Sequence, residues 1–175
     1  MIFDFFMRRK ERKRVKDAFS KAVSVDIVEE MLAQDKLSFP KPEERRIEFI
    51  VVVVQEGPVE LVSKRFGELI NLAIEQGALV ELMPMPFVSF AYGAPLSSSD
   101  DFKKREVLVG EIARQFGTDV KVVHGSRVGY CGLFGADGKL MHYGFYIPGM
   151  LNFIGILAGM EFGQVREVQE GEAKA

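Results

Sequence analysis

The residue types that could do chemistry are few in this chain, and they are scattered. One cysteine, Cys131, could act as a nucleophile only as a thiolate, and its apolar neighbours argue for a buried structural thiol. A lone cysteine also excludes an intramolecular disulfide and, with no signal-peptide pattern, leads to the expectation of a cytoplasmic protein. The two histidines, His124 and His142, fall in strand-like segments with no cysteine or acid at a metal-ligand spacing, so both are expected to pack or to lie at the surface. Asn152 is expected to hydrogen-bond along a helix face. The densest charge is Arg8, Arg9, Lys10, Arg12, Lys13, Arg14 and Lys16, directly behind the apolar Met1-Ile-Phe-Asp-Phe-Phe-Met7. Such a segment is too short to span a bilayer. It suits either a peripheral contact with the inner membrane surface or a helix whose apolar end packs on a partner subunit.

At 175 residues, 47% of them apolar, with a net charge of −2, the chain can bury one core and is too small for two ordinary domains. Mixed charge and the lack of a basic stripe interleaved with aromatics make nucleic acid an unexpected partner. Residues 140–160 contain no Asp, Glu, Lys or Arg, a run long enough to be tested as a membrane span. It fails the test. His142, Pro148-Gly149 and Asn152 divide it into a strand of about eight residues, a turn and a helix of about ten.

Four regions are expected: an apolar and basic segment 1–16, a helical linker 17–45, a folded domain 46–168 and a flexible tail 169–175. In the linker, apolar positions 19, 23, 27, 28, 31 and 32 predict two short helices with Ser24 as a cap. Arg46-Ile-Glu-Phe-Ile-Val-Val-Val-Val54 is β-branched and predicts a central strand buried on both faces. From Pro58 to Gln76 the apolar spacing is helical, and Gly77 closes the helix. Residues 78–92 predict a hairpin. A second helix opens behind Ser97-Ser-Ser-Asp100, with apolar positions 102, 107, 108, 109, 112 and 116, and stops at Gly117. Val120–His124 and Val128–Phe134 predict two further strands, and Ala136-Asp-Gly-Lys139 a tight turn into another. The order is that of a ferredoxin-like βαββαβ core, an α+β fold with helices on one face of an antiparallel sheet, extra strands and a helix appended, and helices preceding it.

The stretch from Glu75 to Pro95 resembles the central hairpin of the class III nucleotide cyclase catalytic domain, with its glycine start, two apolar strands and Gly93-Ala-Pro95 corner. The segment from Phe19 to Arg46 resembles the helical linker upstream of many bacterial cyclase domains, and the resemblance extends over roughly 19–165. It implies a cyclase-type fold, head-to-tail pairing of two such domains, and a site in which two metal ions are held by two carboxylates. Aligned on Gly57, the first metal carboxylate falls on Val54, and the second, at the hairpin turn, falls on Pro86. The base-reading positions fall on Leu82 and Gly149. The ribose-positioning asparagine matches Asn152, and the arginine expected one helical turn later is Ile156. Glu56 and Glu81 lie near these positions without a partner at a fixed, inward-facing spacing.

The resemblance therefore implies the fold without the charges that phosphoryl chemistry requires. The expected function is a catalytically inactive cyclase-homology domain, a pseudoenzyme with no metal or cofactor. It would serve as a dimerising, regulatory module in signalling, paired with itself or with a related cyclase-type domain. Phe134, Phe145, Tyr146 and Phe153 are candidates for the contact. Two rival readings remain: an active adenylate or guanylate cyclase, above all as one half of a heterodimer, and a sensor whose apolar cleft takes a hydrophobic ligand.

Overall fold

The computed structural model of the chain describes residues 42–82, 86–94, 97–136, 140–169 and 172, apart from the side chains at 82, 133–136 and 140–143. The segment 1–16 and the helices expected between 17 and 32 lie outside the described residues.

The β-branched run forms strand β1 (Glu43–Val54), which begins three residues earlier than the sequence predicts. It lies between β3 (Phe87–Tyr92) and β4 (Val120–Ala136) and is buried on both faces from Ile47 to Val54 except at Val53, which is half-buried. Helix α1 (Val59–Glu75) follows and buries Phe66, Leu69 and Ala73. Gly77, at φ 76°, ends it. The Ala78 N–H reaches back to the Ala73 carbonyl and the Gly77 N–H to the Ile74 carbonyl, both at 2.9 Å. This double bond pattern satisfies the last carbonyls and turns the chain into β2 (Leu79–Leu82).

Strands β2 and β3 pair antiparallel, with Leu79 opposite Ala91 and Leu82 opposite Val88. Helix α2 (Asp101–Phe116) opens with the Asp101 carboxylate accepting the Ser98 N–H at 2.7 Å. It ends at Gly117, φ 48°, where a 3₁₀ turn over Gly117–Asp119 leads into β4. The predicted stripe on α2 is partly misplaced. Phe102 and Val107 are exposed, and the fully buried position between them is Arg105.

The two strands expected after α2 are one strand of 17 residues. The gap expected at 125–127 is absent, and Gly125 and Gly129 permit close packing. A Cβ at Gly125 would lie 2.7 Å from the Val168 carbonyl oxygen, and one at Gly129 would lie 2.6 Å from that of Tyr146. One edge of β4 pairs with β1 from Val120 to Cys131. The other is shared, residues 130–136 pairing with β5 (Leu140–Tyr146) and residues 122–125 with the parallel strand β6 (Val165–Val168). The turn residues 137–139 lie outside the described residues. Helix α3 (Met150–Ala158) connects β5 to β6, entered through Gly149 at φ 77°.

The path β2-β3-β1-β4-β5, with β6 beside β4, is the ferredoxin-like order extended by two strands. The sheet, however, is covered on both faces. Alternation along β1 sends Ile50, Val52 and Val54 to α1 and α2, and Ile47, Phe49 and Val51 to α3. Phe49 stacks on Phe153 of α3, ring centroids 4.6 Å apart. The appended helix thus closes the face that a two-helix layout leaves open.

Candidate functional site

Strand β1 ends beside the β2–β3 turn, and this brings Val54 and Pro86 together. The Val54 N–H donates to the Pro86 carbonyl at 3.1 Å, and the next amide, of Gln55, donates to the Asp119 carbonyl at 2.8 Å. The Val54 side chain is 0% exposed and packs in the core cluster under α1 and α2. Neither valine nor proline carries a side-chain ligand atom, so this corner cannot hold a cation through those two side chains. The acids around it are exposed or engaged. Glu56 is exposed. Asp119 is ion-paired with Arg65 of α1. Glu81 accepts the Phe145 N–H at 3.1 Å, which ties edge strand β2 to edge strand β5.

Three of the other positions implied by the resemblance, Gly149, Asn152 and Ile156, lie at α3. Gly149 supplies the left-handed residue before the helix, and its carbonyl accepts the Asn152 N–H at 2.9 Å. Asn152 is half-buried. Ile156 lines an open cleft of about 630 Å³ with Gly155, Gly159, Met160, Gln164, Val165 and Arg166, which neither Val54 nor Pro86 lines. Leu82 ends β2 opposite Val88. Of the proposed contact aromatics, Phe145 and Phe153 are core residues on the α3 face, so they are not available as surface contacts. Tyr146 is 53% exposed. It faces Tyr130 across β4–β5, and Val128, two residues before Tyr130, is exposed as well. The side chain of Phe134 lies outside the described residues.

Sequence reasoning missed the most polar site in the fold. Arg105, fully buried on α2, donates from Nη1 to Glu48 of β1 at 2.7 Å and from Nη2 to Glu106 at 2.7 Å and to Glu167 of β6 at 2.8 Å; its Nε also bonds Glu106, at 3.0 Å. Glu48 accepts the Ser126 hydroxyl at 2.7 Å as well. Phe102 covers the guanidinium, 4.7 Å from ring centre to Cζ. His124 of β4 completes the group, its Nδ1 lying 3.5 Å from Glu106. Burial, reinforced by the Arg105 charge, moves the His124 pKa down from its ordinary 6.5 against the pull of Glu106 and Glu167. Nearby, burial and the Asp101 charge push the Tyr92 hydroxyl upward, and burial raises Asp101 itself. The available signal was charge in phase with the apolar stripes: Glu48 inward on β1, and Arg105 one turn before Leu108 on the buried face of α2.

This architecture is that of the nucleotide cyclase catalytic domain, the fold the hairpin resemblance implies. Solved structures carry the assignment. The guanylyl cyclase Cya2 matches with a TM-score of 0.55 at 16% identity, over 73% of this chain and 77% of its own. The adenylyl cyclase CyaB from P. aeruginosa matches with a TM-score of 0.55 at 15% identity, over 77% of this chain and 81% of its own. A dimeric guanylyl cyclase domain of the RhoGC fusion protein from the aquatic fungus Blastocladiella emersonii matches with a TM-score of 0.57 at 11% identity, over 71% and 80%. No protein-family model and no curated protein matches the sequence. No helix among the described residues is long and apolar enough to cross a membrane.

Proposed function

We propose that this chain is a catalytically silent nucleotide-cyclase homology domain that acts in signalling by associating with a second cyclase-type domain, its own copy or a relative. The observation that carries the reading is the Val54–Pro86 corner: where the resemblance implies two metal carboxylates, the chain has a fully buried valine and a proline joined backbone to backbone. Two-metal phosphoryl chemistry needs both anions on adjacent strands. With Ile156 replacing the transition-state arginine, no charge is left at those positions to stabilise the reacting phosphate.

Association has a surface available. Val128, Tyr130 and Tyr146 stand exposed together on the α1/α2 side of the sheet, beyond the part that those helices cover, and exposed tyrosines are favoured interface residues. The Blastocladiella domain, solved both as a non-canonical dimer and as a monomer, offers an analogy for pairing here. Residues 1–16, apolar then basic, suit a membrane-surface contact for such a dimer.

The test is incubation of the purified chain with ATP or GTP and magnesium or manganese, with a sizing column run alongside. A stable dimer that forms no cyclic nucleotide supports the proposal. Metal-dependent cyclic nucleotide formation overturns it.

Asn152 favours a second reading, in which the chain is the silent half of a heterodimer whose partner brings the metal carboxylates. Activity appearing only on mixing with a related cyclase domain, and falling with Asn152→Ala, would establish it. The open cleft at Ile156, which Gln164 and Arg166 also line, is the candidate place for the ligand of the sensor reading, and the absence of any thermal shift with fatty acids or other apolar molecules would dismiss that role.

A further inference from the structure

We propose that Glu106, His124 and Glu167 form a binding site for a divalent transition-metal ion of the zinc type, remote from the Val54–Pro86 corner. The three side chains come from α2, β4 and β6, and β6 reaches the site only through its parallel pairing with β4, which sets Glu167 opposite His124. One ligand atom from each lies within 4.8 Å of the other two. Four-coordinate zinc, with ligand distances near 2.0–2.2 Å, requires ligand atoms about 3.3 Å apart. His124 Nδ1 and Glu106 already stand at 3.5 Å. Glu106 and Glu167 have side chains nearly half exposed, 44% and 46%, so they can close the remaining gap by rotation.

The independent indication is the histidine. His124 Nδ1 is buried with no hydrogen-bond partner, on a residue only 5% exposed, and it points toward the Glu106 carboxylate. A buried polar atom without a partner has lost its water and gained nothing in exchange, which is unfavourable. A neutral imidazole with a bare nitrogen is what a metal ion takes up. The alternative, a neutral imidazole with its proton on Nδ1, would leave that N–H 3.5 Å from the Glu106 carboxylate, beyond the usual hydrogen-bond range.

Charge points the same way. Glu48, Glu106 and Glu167 face a single buried cation, Arg105. Arg46, itself exposed, lies 3.8 Å from Glu48. A carboxylate has about four acceptor positions. Arg105 uses two on Glu106, both on Oε1, and one on Glu167, so Oε2 of Glu106, brought round by rotation of the half-exposed side chain, and the remaining positions on Glu167 are left for a cation. The guanidinium is then an outer partner that fixes the carboxylate orientations, the role such hydrogen bonds play around metal ligands. One imidazole nitrogen with carboxylate oxygens suits zinc or cobalt better than magnesium or calcium, with water in the fourth position.

The test is titration of the EDTA-stripped full chain with zinc chloride by calorimetry, and with cobalt chloride by visible absorption. The expected result is one ion per chain, a cobalt spectrum of low coordination number, and a zinc-dependent rise in melting temperature. Glu106→Gln and Glu167→Gln change half-exposed side chains and keep their shape. Each should weaken zinc by at least the ~10- to 100-fold that loss of an outer partner alone costs, and the double variant should lose the cobalt bands while keeping the wild-type circular dichroism. Absence of zinc binding at about a hundred times the usual micromolar range, or equal binding by wild type and the double variant, overturns the site. Neither result bears on whether the domain makes a cyclic nucleotide.

Discussion

The Val54 amide and the Pro86 carbonyl meet at 3.1 Å, so the last residue of β1 and the residue preceding β3 are backbone neighbours. Two side chains that could hold a cation at these positions would stand side by side. The Val54 side chain instead fills the α1/α2 core. Val54→Asp should therefore lower stability by at least about 3 kcal/mol, since the carboxylate has no partner in that cluster. Urea midpoints measure this, and a loss under about 1 kcal/mol would show that the position opens to solvent.

Arg105→Met should destabilise by about 3–5 kcal/mol, because Glu48 is left buried without its cation. Glu48→Gln should cost less, since the amide oxygen can still accept from Arg105 and the amide NH2 can donate to the rotated Ser126 hydroxyl. In a double-mutant cycle the two losses should be far from additive. Additive losses would mean that the pair is solvated in solution.

The metal-free protein should lose stability as pH falls through the ordinary histidine range. The native His124 pKa lies below the unfolded value near 6.5, so between the two the unfolded chain binds a proton that the native chain refuses. Stability is then highest above 6.5 and declines below it, at up to about 1.4 kcal/mol per pH unit, until the native pKa is reached. Denaturation curves in EDTA from pH 7.5 to 5, compared with those of His124→Gln, check this. A slope unchanged in the variant would assign the effect elsewhere.

Gly129→Ala should cost about 1–3 kcal/mol, because its Cβ would lie 2.6 Å from a backbone oxygen that cannot move alone. Gly110→Ala on α2, with nothing within 4 Å of the new carbon, should stabilise by about 0.4–1 kcal/mol. Melting temperatures of the two variants should move in opposite directions.

How much of this could be read from the chain follows from what each residue reports. The run Ile47 to Val54 announces a central strand because both of its faces are apolar, and Gly77 announces a helix end because few other residues adopt positive φ cheaply. Hairpin and helix spacing sufficed for the ferredoxin-like order. The unity of β4 was hidden, since Gly125-Ser126-Arg127 reads as a gap between two strands until the Val168 carbonyl is placed against Gly125. The Arg105 cluster was hidden for a related reason. Its members come from four separate elements, and no local spacing brings Glu48, Glu106, His124 and Glu167 together. That Val54 and Pro86 end neighbouring strands was legible, the first from the β-branched run before Gly57 and the second from the hairpin turn.

The parallel pairing of β6 with β4 has a temporal consequence. During synthesis β1, α1, the hairpin and α2 emerge and can collapse early, but Glu167 leaves the ribosome some sixty residues after Arg105. Until then the buried guanidinium has only Glu48 and Glu106, and the edge of β4 at residues 122–125 is unpaired, an open template for another strand. The final short strand is thus the latch of the domain: it closes an aggregation-prone edge and completes an ionic lock in one docking event. A chain released before residue 165 would be left with both open.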